Sequence, residues 1–586
     1  MELDDALALL GDYGLYQNLI FWLVSIPGAF FGAWHIMAIV FLATWPDTHH
    51  CVVPEGSYIN ETIPVTDWDD NGEPIYDNCY MYVNSSVDNT TTGCTEGWYY
   101  ESSETIVTEW DLVCDQASLS QISSSIYMIG VLVGSFIAGH FADNFGRKTT
   151  FLACMWIQGV IGILVAFSQH FATFCVLRFF VGFFQQGVML SQFILATEFF
   201  TPSKRVYAGF LNCMCWALGI MILSPIAYVF THWRAFQIAI SAPALLTFYY
   251  YWVIPESLRW LISKGRVKDA EIILYKAAKV NKVTLPDNVL TVEAKSDDGE
   301  LDDIQQNSRE NGTVHSDSAL KDNAVPSSHG TPNGTQHTAS NNDASAESTV
   351  KVLSVENEGD PSYNYLDLLK TGRMALYTTV MSFAWFVSSL VYYGLSYNTS
   401  NFQGSVHALF FLTGCVEIPA YALSMLFIVW WGRRWPTCIF LLLSGVSCGS
   451  AIFIPDGDDL FVLKIIILLI GKFGVTGAFG TIYVWSPELY PTLLRNMGLA
   501  VFAFFASLGG ILAPLTVYAT FYSVTVPMIV FGILSLLSGF CVLLLPETKD
   551  KIMPRTLAQA EQLGMSSKEA VKLDATAQTE NEAPKH

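Results

Sequence analysis

The stretch TEFFTPSKR at residues 197–205 returns as PELYPTLLR at residues 487–495, with a glutamate and an arginine seven apart each time: Glu198 and Arg205, then Glu488 and Arg495. Other phrases echo at nearly the same distance. Pro255-Glu256-Ser257 is answered by Pro546-Glu547-Thr548, and GHFADNFGRK at residues 139–148 by the worn WWGRR at residues 430–434. A common offset near 290 residues means that the chain carries two tandem copies of one unit in the same orientation.

The repeated unit is membrane-spanning. With 52% apolar, 14% aromatic and 14% charged residues over 586 positions, the composition is too apolar for an ordinary soluble protein. Runs of about 20 apolar residues suffice to cross the hydrocarbon core as helix. Such runs cover residues 19–44, 120–141, 149–168, 172–197, 206–228 and 234–254, then 374–397, 407–430, 437–454, 461–485, 497–519 and 526–545. Six spans in each copy predict an all-α membrane protein of twelve helices in two pseudo-symmetric bundles. The predicted organisation is a terminal segment (1–18), a first bundle (19–254) with a long loop at 45–118, a connecting loop (255–373), a second bundle (374–545) and a tail (546–586). The first span lacks a basic flank and a small-residue cleavage pattern, so it reads as a retained helix and not a signal peptide.

The net charge of −22 is local. Residues 45–118 hold fifteen Asp and Glu with no Lys or Arg, and residues 291–360 hold fourteen acids against four bases. The remaining bases gather in alternate loops, at Arg147 and Lys148, Lys204 and Arg205, Arg259, Lys264 and Arg266, Arg433 and Arg434, and Arg495. The excess of positive charge on the inner side places both termini in the cytoplasm and residues 45–118 outside, in the plasma membrane. Cysteines agree with that orientation: Cys51, Cys79, Cys94 and Cys114 share the outer loop, where four cysteines allow three pairings. Glycosylation sequons at Asn60, Asn84 and Asn89 lie in the same loop, and Asn398 opens a short outer loop after span seven; Asn311 and Asn333 fall inside and are expected bare. Residues 291–362 have the composition of a disordered segment, and residues 266–280 that of an amphipathic helix at the inner face.

Two parallel six-span copies are the plan of an alternating-access transporter, with a substrate site between rocking halves. The repeated charges suit an inner gate, because a half-exposed ion pair contributes about 1 kcal/mol and breaks readily. Asp143, Arg147, Glu198, Arg205, Glu256 and Arg259 are the candidates in the first half, mirrored by Arg433, Glu488, Arg495 and Glu547 in the second.

GHFADNFGRK is similar to the signature between spans two and three of the major facilitator superfamily. HHCVVPEG, EWDLVCD, PESLRWLISKGR, WFVSSLVYYGLS and ELYPTLLRNMG further resemble the organic-ion transporter family, which moves organic cations, anions and zwitterions such as carnitine. The resemblance runs from about residue 10 to 550 and implies the superfamily fold with a central cavity. By that resemblance Trp385, Tyr392 and Tyr393 line the cavity, with Phe193 and Phe479 on the corresponding helices four and ten. The chain departs from the family in span eleven, where FFASLGG places Ser507 at the position of the usual aspartate or arginine. The charges within spans are Arg178, Glu417, Lys464 and Lys472. Glu417 is a ligand for a cation or a member of a helix-packing network, and Arg178 with Lys472 hold matching places in the two copies. Aromatic faces bind a weakly hydrated ammonium without a full counter-charge. These residues point to organic cations or zwitterions as substrate, with facilitated diffusion, exchange or sodium coupling as the energetics. An organic-anion exchanger of the same fold is the alternative, and a receptor or channel the alternative of another class. No cofactor, metal cluster, catalytic nucleophile or nucleic-acid partner is indicated; the partners implied are the lipid bilayer, a small organic ion and possible sodium.

Overall fold

The computed structural model describes residues 3–290 and 365–563, apart from positions 12, 47, 69–71, 73, 84–89, 102–103, 287–288, 402–403, 455–459, 524, 552 and 555–556. Asn84, Asn89, Asn311, Asn333, the segment 291–362 and the tail beyond residue 563 lie outside the described residues.

Backbone in hydrocarbon must satisfy its own hydrogen bonds, so each apolar run closes into helix. The first bundle comprises span one (Leu15–Met37), two (Ser118–Phe145), three (Arg147–Val165), four (Phe171–Glu198), five (Pro202–Val229) and six. The second comprises seven (Gly372–Tyr397), eight (Val406–Trp431), nine (Arg434–Ala451), ten (Phe461–Glu488), eleven (Thr492–Tyr518) and twelve (Thr525–Cys541). Ten of the described helices are long and apolar enough to cross a membrane. The other two expected spans, six and nine, fall outside that set. Span six is broken into Trp233–Ser241, Pro243–Leu246, Thr247–Tyr249 and Tyr250–Val253, because Pro243 cannot donate to the ladder, and span nine is an 18-residue helix. Span one is also interrupted: its helix ends at Met37 and a separate turn, Ile39–Leu42, follows. The amphipathic helix forms at Val267–Asn281 and buries Ala270, Leu274, Ala277 and Ala278.

Packing repeats with the sequence. Span two lies on four, three on four and one on five in the first bundle; eight lies on ten, nine on ten and seven on eleven in the second. The bundles meet along two seams, five against eight and two against eleven, which are equivalent under the repeat. Spans two and four touch backbone to backbone. A Cβ on Gly130 would stand 2.1 Å from the Phe179 carbonyl oxygen, on Gly134 2.3 Å from that of Phe183, and on Gly182 2.2 Å from that of Tyr127. Lipid gives two helices no hydrophobic reason to associate, so this close small-residue contact supplies the van der Waals attraction instead.

Residues 49–114 form a cap of three two-stranded antiparallel ribbons, His49–Cys51 with Trp98–Tyr100, Val65–Trp68 with Pro74–Tyr76, and Tyr80–Tyr82 with Thr91–Gly93. Among the described residues its own buried core is Cys51, Ile63 and Met81, and the disulfides Cys51–Cys94 and Cys79–Cys114 close it. The cap docks on the first bundle. Trp233 Nε1 donates to Glu109 at 2.6 Å, Arg234 pairs with Glu109, and Trp110 Nε1 donates to the Gln169 carbonyl at 3.2 Å. Asn60 is exposed, as a glycan acceptor must be. Asn398 is not: it is 0% exposed at the end of span seven, which leaves no room for a sugar on its side chain and corrects the expectation of a glycan there.

Bridging a loop of this length restricts the unfolded chain by about 4 kcal/mol. Peptide mapping without reductant should therefore recover 51–94 and 79–114 as the bridged pairs, and Cys79→Ser with Cys114→Ser should sharply cut the fraction of protein reaching the cell surface. Gly134→Leu should abolish monodisperse protein in detergent, whereas Gly139→Ala, whose Cβ meets nothing closer than 3.9 Å, should leave it intact.

Candidate functional site

The charged face, opposite the cap, is built by turns rather than by side-chain pairs alone. Gly146 (φ 102°) and Gly432 (φ 88°) each take a backbone conformation that L side chains avoid, and each has a glutamate where a Cβ would stand. Through that gap Glu256 accepts from the Lys148 amide at 2.8 Å, and Glu547 from the Arg433 and Arg434 amides at 2.9 and 3.0 Å. Both carboxylates thus cap the exposed amides at the starts of spans three and nine, where the helix dipole favours negative charge. The neighbouring charges differ between copies. Glu488 accepts two bonds from Arg433, at 2.9 and 2.7 Å, and one from the Thr548 hydroxyl. Glu198 accepts from the Ser257 hydroxyl, and Arg147 turns to Asp143 at 2.9 Å. Arg205 and Arg259 share Asp4, at 3.2 and 2.6 Å, while Arg495 donates to the Pro487 carbonyl at 2.9 Å. These contacts all close within a bundle. Asp4, Ser257 and Thr548 are members that the sequence reading missed; Asp4 precedes the first span with no repeat partner to mark it.

In the membrane interior the structure brings together most of the expected cavity residues. Lys472 Nζ stands 3.0 Å from Glu417 Oε1, with side-chain exposures of 2% and 0%. The same ammonium donates to Ser396 Oγ at 2.6 Å and the Tyr392 carbonyl at 3.2 Å, and lies 3.2 Å from the centroid of the Tyr392 ring. Glu417 is therefore half of an ion pair and not a lone carboxylate. Removing either partner would strand the other in a medium of low polarity, at a cost of about 3–5 kcal/mol.

Aromatic rings surround this pair. The Phe479 ring lies 5.9 Å from Tyr392 and 5.5 Å from Trp385, Tyr483 lies 4.5 Å from Trp385, and Tyr393 lies 5.3 Å from Tyr392. Trp385 is held by its Nε1 donating to Ser486 Oγ at 2.7 Å. The Tyr392 hydroxyl accepts from Trp216 Nε1 of span five at 2.9 Å, a bond between the bundles. Further bonds cross nearer the cap, from Ser125 Oγ to the Ile511 carbonyl at 2.9 Å, Ser224 Oγ to that of His407 at 2.6 Å, and the Tyr397 hydroxyl to that of Ile36 at 3.4 Å. Two expected residues stand outside this group. Phe193 is 37% exposed with its ring beside Gly209 of span five, and Ser507 donates to the Ala503 carbonyl of its own helix at 2.8 Å. Trp216 and Tyr483 join the cluster without a sequence signal, because only packing of separate helices puts them there.

The comparisons with known proteins agree with this architecture. Residues 75–315 match the family described as "Sugar (and other) transporter", and residues 374–575 match "Major Facilitator Superfamily". The chain is 35% identical over 576 residues to "Organic cation transporter protein" of Drosophila melanogaster, covering 96% of this chain and 95% of the relative. It is 32% identical over 587 residues to the human "Organic cation/carnitine transporter 2", covering 95% and 94%. Among solved structures, the inward-open xylose transporter XylE from E. coli superposes with a TM-score of 0.55 at 13% identity, over 92% of this chain and 98% of that one. A TM-score of 0.56 at 14% identity, over 94% and 99%, relates it to the sugar-bound proton:xylose symporter. The chain is a multi-pass membrane transporter, not an enzyme, and belongs to the organic cation and carnitine transporter family of the major facilitator superfamily.

Proposed function

We propose that the protein carries small organic cations or zwitterions across the plasma membrane by alternating access, with its charged face and both termini in the cytoplasm. The relatives named for organic cations and carnitine support that substrate class. The observation that carries it is the Glu417–Lys472 pair set against the face of Tyr392. Lys472 is an ammonium lying on an aromatic ring beside a carboxylate, which is the environment a substrate ammonium requires. When the site is empty, Lys472 neutralises Glu417, so the half-site carries no net charge and the unloaded carrier can return. An arriving organic cation competes with Lys472 for Glu417 and the ring and is released when the pair re-forms. That cycle fits facilitated diffusion or exchange and leaves sodium coupling as an addition to it.

The two glutamate-capped faces give each bundle rigidity, and the bonds from Trp216, Ser125, Ser224 and Tyr397 are those that must break for the cap side to open. The capped carboxylates and Glu198, Glu488 and their arginines set the balance between the two orientations. An organic-anion exchanger is disfavoured because Lys472, the cation beside the aromatic wall, is already paired with Glu417, and Ser507 offers an anion no charge. A receptor or channel has no use for the paired faces.

Labelled quaternary ammonium efflux from expressing cells should accelerate when unlabelled substrate is present outside; its absence, alongside saturable binding, would point to the receptor class. Glu417→Gln should lower ammonium uptake about tenfold or more at normal surface level, and undiminished uptake would overturn the assignment. Tyr392→Phe should keep the Michaelis constant within about twofold, since the π face survives, while its maximal rate changes through loss of the Trp216 bond; Tyr392→Ala should weaken affinity several-fold, by roughly the 1–2 kcal/mol of a desolvated cation–π contact. Glu488→Lys should depress maximal rate far more than affinity, and equal loss of both in surface-expressed protein would remove Glu488 from the orientation balance.

A further inference from the structure

On the charged face, the end of span two, the start of span three, the last turn of span six and the amphipathic helix Val267–Asn281 enclose a cleft of about 360 Å³. Phe145, Lys148, Tyr251, Arg266 and Ile272 are among its lining residues, and none of them belongs to the aromatic group around Tyr392. The cleft is positively charged at its base. Two carboxylates reach it and both are engaged within the protein: Glu256 accepts from the Lys148 and Ser257 amides at 2.8 and 3.0 Å, and Asp269 accepts from Arg266 Nε at 2.7 Å. Among the described residues no carboxylate forms an ion pair with Lys148, whose ammonium lies 4.8 Å from the centroid of the Tyr251 ring. That π face lowers the cost of drying the ammonium but leaves its N–H donors unspent. The surrounding chain adds to the field, since residues 264–282 hold six Lys and Arg against two Asp and Glu.

The rim decides what kind of anion fits. The amphipathic helix spends Ala270, Leu274, Ala277 and Ala278 on the bundle, yet Ile272, on another of its faces, is exposed. Phe145, the last residue of span two, and Tyr251 and Trp252, in the last turn of span six, are exposed as well. Four large apolar side chains therefore stand open where helices leave the bilayer, beside a cation without a counter-charge. Aromatic rings at that depth meet headgroups and upper acyl chains. A ligand that uses both features carries an anion at one end and hydrocarbon at the other.

We propose that this cleft binds the phosphate headgroup of an anionic phospholipid, drawn from the leaflet that meets the charged face. Lys148 and Arg266 donate to the phosphate, and the acyl chains lie against Phe145, Tyr251 and Ile272. A soluble phosphate would meet the same two cations but gain nothing from the rim, whereas basic pockets at membrane depth suit lipid headgroups. Every wall belongs to the first bundle, so the lipid braces the joint where Glu256 ties span three to the chain leaving span six. The second copy has no such wall: after Glu547 the described chain forms only the short helix Leu557–Gln562.

The test titrates full-length protein, purified in a neutral detergent, with dioleoyl phosphatidylglycerol, with dioleoyl phosphatidylcholine, and with glycerophosphoglycerol, the anionic headgroup without its acyl chains. Phosphatidylglycerol should raise the melting temperature by at least roughly 3 °C at saturation, and the other two should not. Lys148→Gln should weaken the apparent affinity for phosphatidylglycerol by roughly fivefold, and Lys148→Arg should restore it. Lys268→Gln removes the same charge from the same helix outside the cleft and should leave that affinity unchanged. Native mass spectra of wild-type protein, which need no variant to fold, should retain phosphatidylglycerol over phosphatidylcholine from an equimolar mixture. Equal stabilisation or retention by the two lipids overturns the proposal. An equal loss in Lys268→Gln and Lys148→Gln overturns it too, because diffuse surface charge would then account for binding. Stabilisation by glycerophosphoglycerol to the same extent as by the lipid would make the cleft a soluble-anion site and would likewise overturn the lipid assignment.

Discussion

Each bundle is held at its charged face by a carboxylate that reaches through the space left by a glycine and accepts from amides beginning the next helix. Glu256 does this for span three and Glu547 for span nine. The contact is strong because acceptor charge and helix dipole act together, and narrow because any side chain at Gly146 or Gly432 would occupy the same space. It fixes the turn between two spans to the chain leaving the bundle's last span, closing the six helices into one body. The seam contacts and the placement of Lys472 against Glu417 are made between helices of the bodies so closed.

The two copies then diverge in how they handle charge. At the charged face the second copy is self-sufficient, with Arg433 clasping Glu488, while the first borrows Asp4 from the segment before span one. In the interior the second copy neutralises its lysine with Glu417, while the first leaves Arg178 on a tyrosine face. Duplication supplied the frame, and within that frame the two copies distribute their charge differently.

The repeat, the spans and the cysteine-rich loop were legible because each is written in local pattern: apolar length, phrase spacing, residues clustered in one loop. The break in span six also had a local signal in Pro243, which apolar length alone conceals. What could not be read is contact between helices far apart in sequence. Glu417 looked solitary because its partner Lys472 is on another span, and no periodicity in either helix announces the other. Asn398 matched a sequon perfectly well, yet three-residue patterns carry no information on burial. Phe193 and Ser507 were placed at the cavity by family position; in this structure the Phe193 ring lies beside Gly209 of span five and the Ser507 hydroxyl donates to its own helix.

The cap has a mechanical corollary. Glu109 and Trp110 moor it to Arg234, Trp233 and Gln169, all in the first bundle. In the proposed alternating-access cycle it travels as a passenger of one half, so the cleft between its rim and the second bundle widens and narrows with each turn. In that cycle a large molecule seated on the cap alone would leave the motion free, but one that bridges cap and second bundle would act as a brake from outside, with no need to enter the substrate path.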